Sequence, residues 1–243
     1  MMKRLIMLFA LLPLLAMGGQ WEIGSRSFAP VAISPSGPAY VQGEISWGAP
    51  ATATFTSNVG VGDAIVVAAW GGYNFANPQY PTITDTLGSG FVLVASINYM
   101  SVWVALNSAG GPDAVTATSV YNPQVVVAIH EYSGVVSASA VDGSPATASY
   151  GSYTPTFTVG PVTTTASHDL LFTAMSCSST ATESSGPTGF TVRLYQPTVT
   201  AAQEETADNV VTPGVYSAVW QIPSGWGFSY ASDMVLVALK GKS

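Results

Sequence analysis

The feature that most constrains the fold is a series of short β-type segments from Ala51 to the end of the chain. Each segment holds alternating or continuous apolar residues, and clusters of Gly, Pro, Asn and Asp separate them. No stretch shows a sustained apolar stripe at helical spacing, and no repeat recurs at a fixed period. The pattern predicts an all-β fold: a two-sheet antiparallel β-sandwich, jelly-roll-like, in which residues 51–243 form a single domain.

Alternation along these segments assigns side chains to the two faces of each predicted strand. In residues 124–132, Glu131 shares a face with Val125, whereas His130 points the other way. The segments VVVAI and MVLVAL are apolar on both faces, which is typical of central strands. We therefore expect their outer faces to be covered by a loop, by the N-terminal arm or by a partner.

The amino terminus has the three parts of a secretory signal peptide. Lys3 and Arg4 supply the positive charge, residues 5–17 are apolar, and Ala16 and Gly18 are the small residues of a cleavage site. We predict that residues 1–19 are a signal peptide. The mature protein is then secreted, extracellular or at the cell surface, and keeps no stable membrane anchor after cleavage.

Residues 20–50 are rich in Pro, Gly and Ser, a composition that opposes both helix and central strand. We predict an extended arm that packs along a sheet edge or reaches a neighbouring molecule. The chain has 13 acidic against 6 basic residues, so the sequence predicts no nucleic-acid partner. Its one cysteine, Cys177, forms no intrachain disulfide and is predicted to be buried in a strand.

Six segments occur in a recognisable order: VGDAIVVAAWGG, TDTLGSGF, AIHEYSGV followed by VDGS, VTTTASHDLLFTAMS, GVYSAVWQI and MVLVALKG. With them the chain resembles an uncharacterised family of exported jelly-roll-like β-sandwich domains of environmental bacteria, some of them phage-associated. The resemblance covers residues 51–241, and its motifs are turn glycines and strand apolars. It implies a jelly-roll-like sandwich and brings no catalytic residues with it.

The histidines give little support to nucleophilic hydrolysis, which needs a Ser or Cys beside a His base. His168 lies in a predicted turn, and His130 and Glu131 leave opposite faces of one strand. Glycoside hydrolysis needs two carboxylates, and the candidates are Asp85, Glu131, Asp142, Glu204, Glu205 and Asp208. We interpret Asp85 as a turn former. Glu131 is either catalytic or a buried carboxylate that accepts backbone N–H bonds at the corner 132–134.

Two Gly- and Pro-containing segments concentrate aromatic residues, and loop aromatics either plug the ends of a sandwich or form a contact surface. A contact surface of this kind stacks on sugars. The predicted ligand-binding residues are Trp70, Tyr73, Phe75 and Tyr80 in one segment and Trp226, Phe228 and Tyr230 in the other.

The segment 203–209 is the densest acidic stretch, and we predict that it is a loop. Calcium needs several converging oxygens, so Glu204, Glu205 and Asp208 are the candidate metal ligands. The alternative is a solvated loop without a metal. The sequence predicts no other cofactor.

Three function classes follow from these features. The first is a non-enzymatic exported structural or interaction protein, such as a surface or appendage subunit (fibre or pilus-like) or an adhesin. It would assemble with other protein subunits through the arm or a sheet edge. The second is a carbohydrate-binding module for extracellular polysaccharide, and the third is a glycan-active hydrolase. We predict no catalytic residues and expect that the chain is not an enzyme.

Overall fold

The computed structural model describes residues 37–71, 80–120, 124–152, 154–177, 186–196, 203–221 and 232–243. The predicted signal peptide and the part of the predicted arm before residue 37 lie outside these ranges. The described chain is all-β and its strands pair antiparallel, which confirms the predicted fold class. No helix in the described residues is long and apolar enough to cross a membrane.

The first half of the described chain forms one large and one small sheet. Its strands are β1 (Ala39–Gly48), β2 (Ala51–Thr54), β3 (Ala64–Gly71), β4 (Thr82–Asp85), β5 (Val92–Ile97), β6 (Met100–Ala105), β7 (Ala114–Thr118) and β8 (Val125–Ser133). Sheet 1 has the order β1-β8-β3-β6-β5, and cover sheet 1 has the order β2-β7-β4. The outward positions of cover sheet 1 are mostly threonines, which suit a solvated sheet face.

The second half repeats this arrangement. Its strands are β9 (Ala146–Tyr150), β10 (Thr156–Thr164), β11 (Asp169–Cys177), β12 (Thr191–Gln196), β13 (Gln203–Val211), β14 (Gly214–Gln221) and β15 (Ser232–Lys240). Sheet 2 has the order β9-β15-β11-β13-β12, and cover sheet 2 pairs β10 with β14. An isolated bridge from Pro187 to Trp220 takes the place that β4 has beside β7 in the first half.

The two halves therefore share one topology, and we call β1–β8 the first repeat and β9–β15 the second repeat. In the first repeat the orders β1-β8-β3-β6 and β2-β7-β4 are those of a jelly roll. The pairing register also matches. The matched pairs are Val66–His130 and Val66–Val104 in sheet 1 and Phe172–Val237 and Phe172–Asp208 in sheet 2.

Each repeat also has a β-bulge at the same place in its edge strand. The register shifts between Leu93 and Ala95 in β5 and between Val192 and Leu194 in β12. The sequence shows no fixed period because the connections between equivalent strands differ in length. The chain thus contains two structural repeats in tandem, although its described residues belong to one compact unit.

Sheets 1 and 2 pack face to face around a central core, which includes Val66, Ala128, Phe172 and Val237. Each cover sheet packs on the outer face of its large sheet and encloses a further core. The strands that are apolar on both faces are therefore central, as predicted. Their outer faces are covered by strands of the same chain.

The structure corrects the start of the sandwich. β1 pairs with β8 from Ala39 opposite Ser133 to Gly48 opposite Val125 and is the edge strand of sheet 1. This agrees with the predicted packing along a sheet edge, but the sandwich begins at Ala39 and not at Ala51. The prolines of the predicted arm lie before Ala39 or at Pro50, and the strand between them contains none. Composition averaged over residues 20–50 concealed this strand.

Candidate functional site

The strands that flank the two aromatic segments meet at one end of the sandwich, which we call the loop end. There β3 ends at Gly71 and β15 begins at Ser232. The turn between β5 and β6 links both places, because Gly71 N–H donates to the Tyr99 carbonyl at 2.8 Å. In the same turn Asn98 Nδ2 donates to Asp233 Oδ1 at 2.8 Å. The bases of the two segments are therefore joined through one turn.

The predicted aromatic residues divide into three groups. Tyr80 is 39% exposed and packs edge-to-face on Trp103, with ring centroids 6.1 Å apart. Trp70 is buried in the central core, which corrects its predicted place on a contact surface, because it shares the inner face of β3 with Val66. Tyr73, Phe75, Trp226, Phe228 and Tyr230 lie outside the described residues.

The acidic segment is strand β13 rather than the predicted loop, and its carboxylates are buried. Glu204 and Asp208 face the central core, about 13 Å apart at the usual rise of a strand, while Glu205 points to the opposite face. Burial raises the pKa of Glu204 well above its ordinary value. The three carboxylates do not converge as calcium ligands must, so β13 does not form the predicted site.

Two polar pairs cross the central core between β8 and β13. His130 Nδ1 donates to the Val66 carbonyl at 3.3 Å, so its Nε2 accepts from the Thr206 hydroxyl at 2.8 Å. Burial lowers the pKa of His130 to about 3, and the ring is neutral. His130 is thus a satisfied core residue, and its side chain and that of Glu131 lie on opposite faces, as predicted.

The second pair consists of Tyr132 and Asp208, and Arg193 binds to it as a third member. Tyr132 Oη donates to Asp208 Oδ2 at 2.6 Å, and Arg193 Nε donates to the same oxygen at 2.8 Å. The Arg193 guanidinium lies 4.2 Å from the ring centroid of Tyr40 on β1. This network ties β1 and β8 of the first repeat to β12 and β13 of the second.

Glu131, which is buried, pairs with the half-buried Asp63 at the end of the sandwich opposite the loop end. It accepts from Gly60 N–H at 2.6 Å and from Gln42 Nε2 at 2.5 Å, and it is 1% exposed. Burial and a hydrogen bond to Glu131 raise the pKa of Asp63 to about 6. The prediction of a buried, hydrogen-bonded Glu131 agrees with this structure, but its donors are Gly60 and Gln42 instead of the corner 132–134.

A second carboxyl pair joins Asp142, in the connection before β9, to Asp169 of the second repeat. Burial opposes ionisation of Asp142, but hydrogen bonds from Thr165 and Ala166 hold its pKa below the ordinary value. Burial and the Asp142 charge raise the pKa of the neighbouring Asp169 to about 6. Asp169 opens β11 and Asp63 directly precedes β3, so the two proton-holding carboxyls occupy nearly equivalent places in the repeats.

These pairs differ from the arrangement in glycosidases, where about 5–9.5 Å separates the two carboxyls. Asp63 and Glu131 share a hydrogen bond, as do Asp142 and Asp169. Asp85 is the predicted turn former, because its Oδ1 accepts from Ser89 N–H at 2.7 Å. Within the described ranges, no group of three or more His, Cys, Asp or Glu is placed to hold a metal ion.

The predicted burial of Cys177 is confirmed. Its side chain is fully buried in β11, and burial raises its thiol pKa to about 11.

Sequence reasoning did not identify Asp63, Asp169 and Arg193, although each makes a key contact. The two aspartates carry a signal, since each directly precedes the apolar run of a central strand in GDAIVV and HDLLFT. Arg193 occupies the bulge of β12, and a bulge is a register feature that the sequence pattern does not show.

Comparison with known proteins gives no relative from which a role can be carried over. No family model, no curated protein and no solved structure matches this chain. The contacts within the chain itself therefore carry the functional proposal.

Proposed function

We propose that the chain is an exported structural or interaction protein that assembles with other protein subunits, as a surface or appendage subunit or an adhesin does. The observation that carries this proposal is the open edge of sheet 1. The edge strand β1 is 10 residues long, and no described strand pairs with its outer side. Unpaired N–H and C=O groups on such an edge are a template for a strand of another chain.

The side chains of β1 add to this argument. Val41 is 49% exposed and Trp47 is 48% exposed. Exposed tryptophan is enriched at protein interfaces, and charged residues are the usual protection of an edge strand. Glu44 is the one charged residue in β1. Beyond the Val41 bulge, the regular stretch from Gln42 to Gly48 is long enough to pair with a second strand.

The test places charge on this edge. Wild type is expected to increase in mass with concentration in light scattering after size exclusion, whereas the double variant Val41→Lys, Trp47→Lys stays monomeric. Val215→Lys is the matched control, because Val215 is 67% exposed on the distant strand β14. The melting temperature should stay within a few degrees for both variants. A wild type that is monomeric at every concentration contradicts the proposal, and so does a control that acts like the double variant.

A second candidate, carbohydrate binding, is favoured by the loop end. Tyr80 is exposed there, and the contacts of Asn98 and Tyr99 join the bases of the two aromatic segments. An exposed tyrosine such as Tyr80 combines an apolar ring with a polar tip, which suits stacking on a sugar ring. In a pull-down with insoluble polysaccharide, Tyr80→Ala and Trp226→Ala should each reduce the bound fraction several-fold, and Val215→Ala should not. Absence of wild-type binding to a panel of polysaccharides contradicts this candidate.

A further inference from the structure

An apolar cleft opens from the central core at the edge of sheet 1 formed by β5. Its volume is about 390 Å³, and small-molecule sites have volumes of about 300–1,000 Å³. The residues that matter for its chemistry are Val92, Val94, Val104, Leu106, Val141 and Lys240. The first four belong to the first repeat, Val141 lies in the connection between the repeats, and Lys240 ends the last strand of the second. The cleft is therefore a gap between the repeats.

The walls of the cleft are apolar and partly open to water. Val92 is 63% exposed, although its neighbours Val94 and Val104 pack in or against the central core. Burying apolar surface gains roughly 25 cal/mol per Å², so an apolar ligand chain would be stabilised there. A volume of about 390 Å³ suits a small molecule, such as one with a short alkyl chain.

Lys240 supplies the one charge in the cleft lining. Its ammonium nitrogen forms a long ion pair with Asp142, 3.7 Å from Oδ1, and makes no hydrogen bond to any described residue. Asp142 already accepts hydrogen bonds from Thr165 and Ala166. The three N–H donors of Lys240 are therefore available to an anionic group at the cleft, while its methylene stem lines the apolar wall.

We propose that this cleft binds a ligand with an apolar chain that ends in a carboxylate. The chain lies between Val92 and Val141, and the carboxylate pairs with Lys240. The charge of Lys240 complements an anionic head, and the valine and leucine side chains complement the chain. This site lies away from both the β1 edge and the loop end, so it goes beyond the proposed function.

The experiment titrates octanoate and octanol into the full chain and follows binding by calorimetry and by NMR shifts of the valine methyl groups. Octanoate is expected to bind more tightly than octanol. Lys240→Met, which keeps the stem and removes the charge, should weaken octanoate several-fold and leave octanol unchanged. Val92→Asp should weaken both probes about tenfold or more, whereas Val215→Asp, the same change at an equally exposed valine, should have no effect.

Three results would overturn the proposal. Wild type that binds neither probe excludes the site, and equal affinity of Lys240→Met and wild type for octanoate excludes the role of the lysine. If octanoate binds only after residues 20–36 are removed, the cleft is covered by the chain's own N-terminal segment. A circular dichroism spectrum and melting temperature for each variant separate loss of binding from loss of folding.

Discussion

The two repeats meet along two equivalent seams whose chemistry differs. In the polar seam, β8 of the first repeat faces β13 of the second. His130 bonds to Thr206 there, and Tyr132 bonds to Asp208. Each of these four side chains is buried, and each has its hydrogen-bond partner on the other repeat.

In the apolar seam, β6 of the first repeat contacts β15 of the second. By register, Val102 and Val104 are the equivalents of Thr206 and Asp208, and Val237 and Leu239 are the equivalents of His130 and Tyr132. All four are buried in the central core. One seam is therefore made of polar pairs and the other of aliphatic contacts on the same backbone framework.

This difference explains how the chain favours pairing of its first repeat with its second repeat. If the two repeats were identical, each could pair with a copy of itself in a symmetric dimer as readily as with the other repeat. If two first repeats met, His130 and Tyr132 would face Val102 and Val104 and lose their partners. Buried polar groups without partners cost about 1–3 kcal/mol each, so the polar seam favours the pairing of first with second repeat.

The largest loss of stability is expected when the polar seam loses the carboxylate of Asp208. Asp208→Ala removes the acceptor of Tyr132 and Arg193 and should lower the free energy of unfolding by about 3 kcal/mol. The equivalent Val104→Ala in the apolar seam removes only two methyl groups and should cost about 1–2 kcal/mol. Urea denaturation at neutral pH measures both. Equal losses would show that the two seams do not differ in energy.

The next effect concerns the carboxyl pairs, which the repeats share. Asp169 has a pKa of about 6 in the folded state against an ordinary 3.8, so between these values the folded state holds a proton that the unfolded state releases. Stability contributed by Asp169 is therefore present at low pH and lost as the pH rises to about 6. Asp169→Asn keeps the shape without the charge and should stabilise the protein at pH 7.5 by roughly 1–2 kcal/mol.

At pH 4 this advantage should disappear, because wild-type Asp169 is then protonated. Denaturation curves at pH 4, 6 and 7.5 test the difference between variant and wild type, and Asp63→Asn should behave in the same way, since Asp63 also has a pKa of about 6. Asp85→Asn, at a half-buried aspartate that ends β4 and accepts from Ser89 N–H, is the control. A constant difference at all three pH values would contradict the proton-sharing pair.

A smaller effect is expected at the bulge of β12. Arg193→Lys keeps the charge beside Asp208 but loses the planar group over Tyr40, so it should cost about 1 kcal/mol. The equivalent bulge residue in β5 is Val94, and Val94→Ile should be neutral within about 0.5 kcal/mol because Val94 lines an open cleft. A larger loss of stability for Val94→Ile than for Arg193→Lys would contradict this difference between the two bulges.

The sequence pattern predicted the class of fold because strands and turns depend on the alternation and turn residues of short segments. It placed His130 and Glu131 on opposite faces and Cys177 in a buried strand. It did not predict that Glu204 and Asp208 are buried, since acidic residues are almost always exposed unless they have partners. The partners of Asp208 are Tyr132 and Arg193, which come from other strands, and no local pattern contains that information.

The same limit applies to the structural repeat and to β1. Equivalent strands of the repeats share register but few residue types, because polar residues in one seam correspond to aliphatic residues in the other. Strand β1 was hidden by the prolines around it. In both cases the missing information is the pairing of distant segments, which depends on tertiary contacts and not on the composition of either segment.

The most extensive variant copies the apolar seam into the polar one, and its main effect is expected on the pairing of the repeats rather than on stability. It combines His130→Val, Tyr132→Leu, Thr206→Val and Asp208→Val. Each polar group leaves together with its partner, and Arg193 is partly exposed and can turn to water. Replacing a buried polar network with apolar residues is often neutral, so the free energy of unfolding should stay within about 2 kcal/mol of wild type.

The specificity of pairing should change, because the first repeats of two chains can now pair without leaving a buried polar group unpartnered. The test is made in the Val41→Lys, Trp47→Lys background, in which assembly through β1 is blocked. Refolding at high concentration followed by size exclusion should then yield dimers that the same background with the native polar seam does not form. A variant that refolds to the wild-type species alone would show that loop connections, and not the polar seam, select the pairing of the repeats.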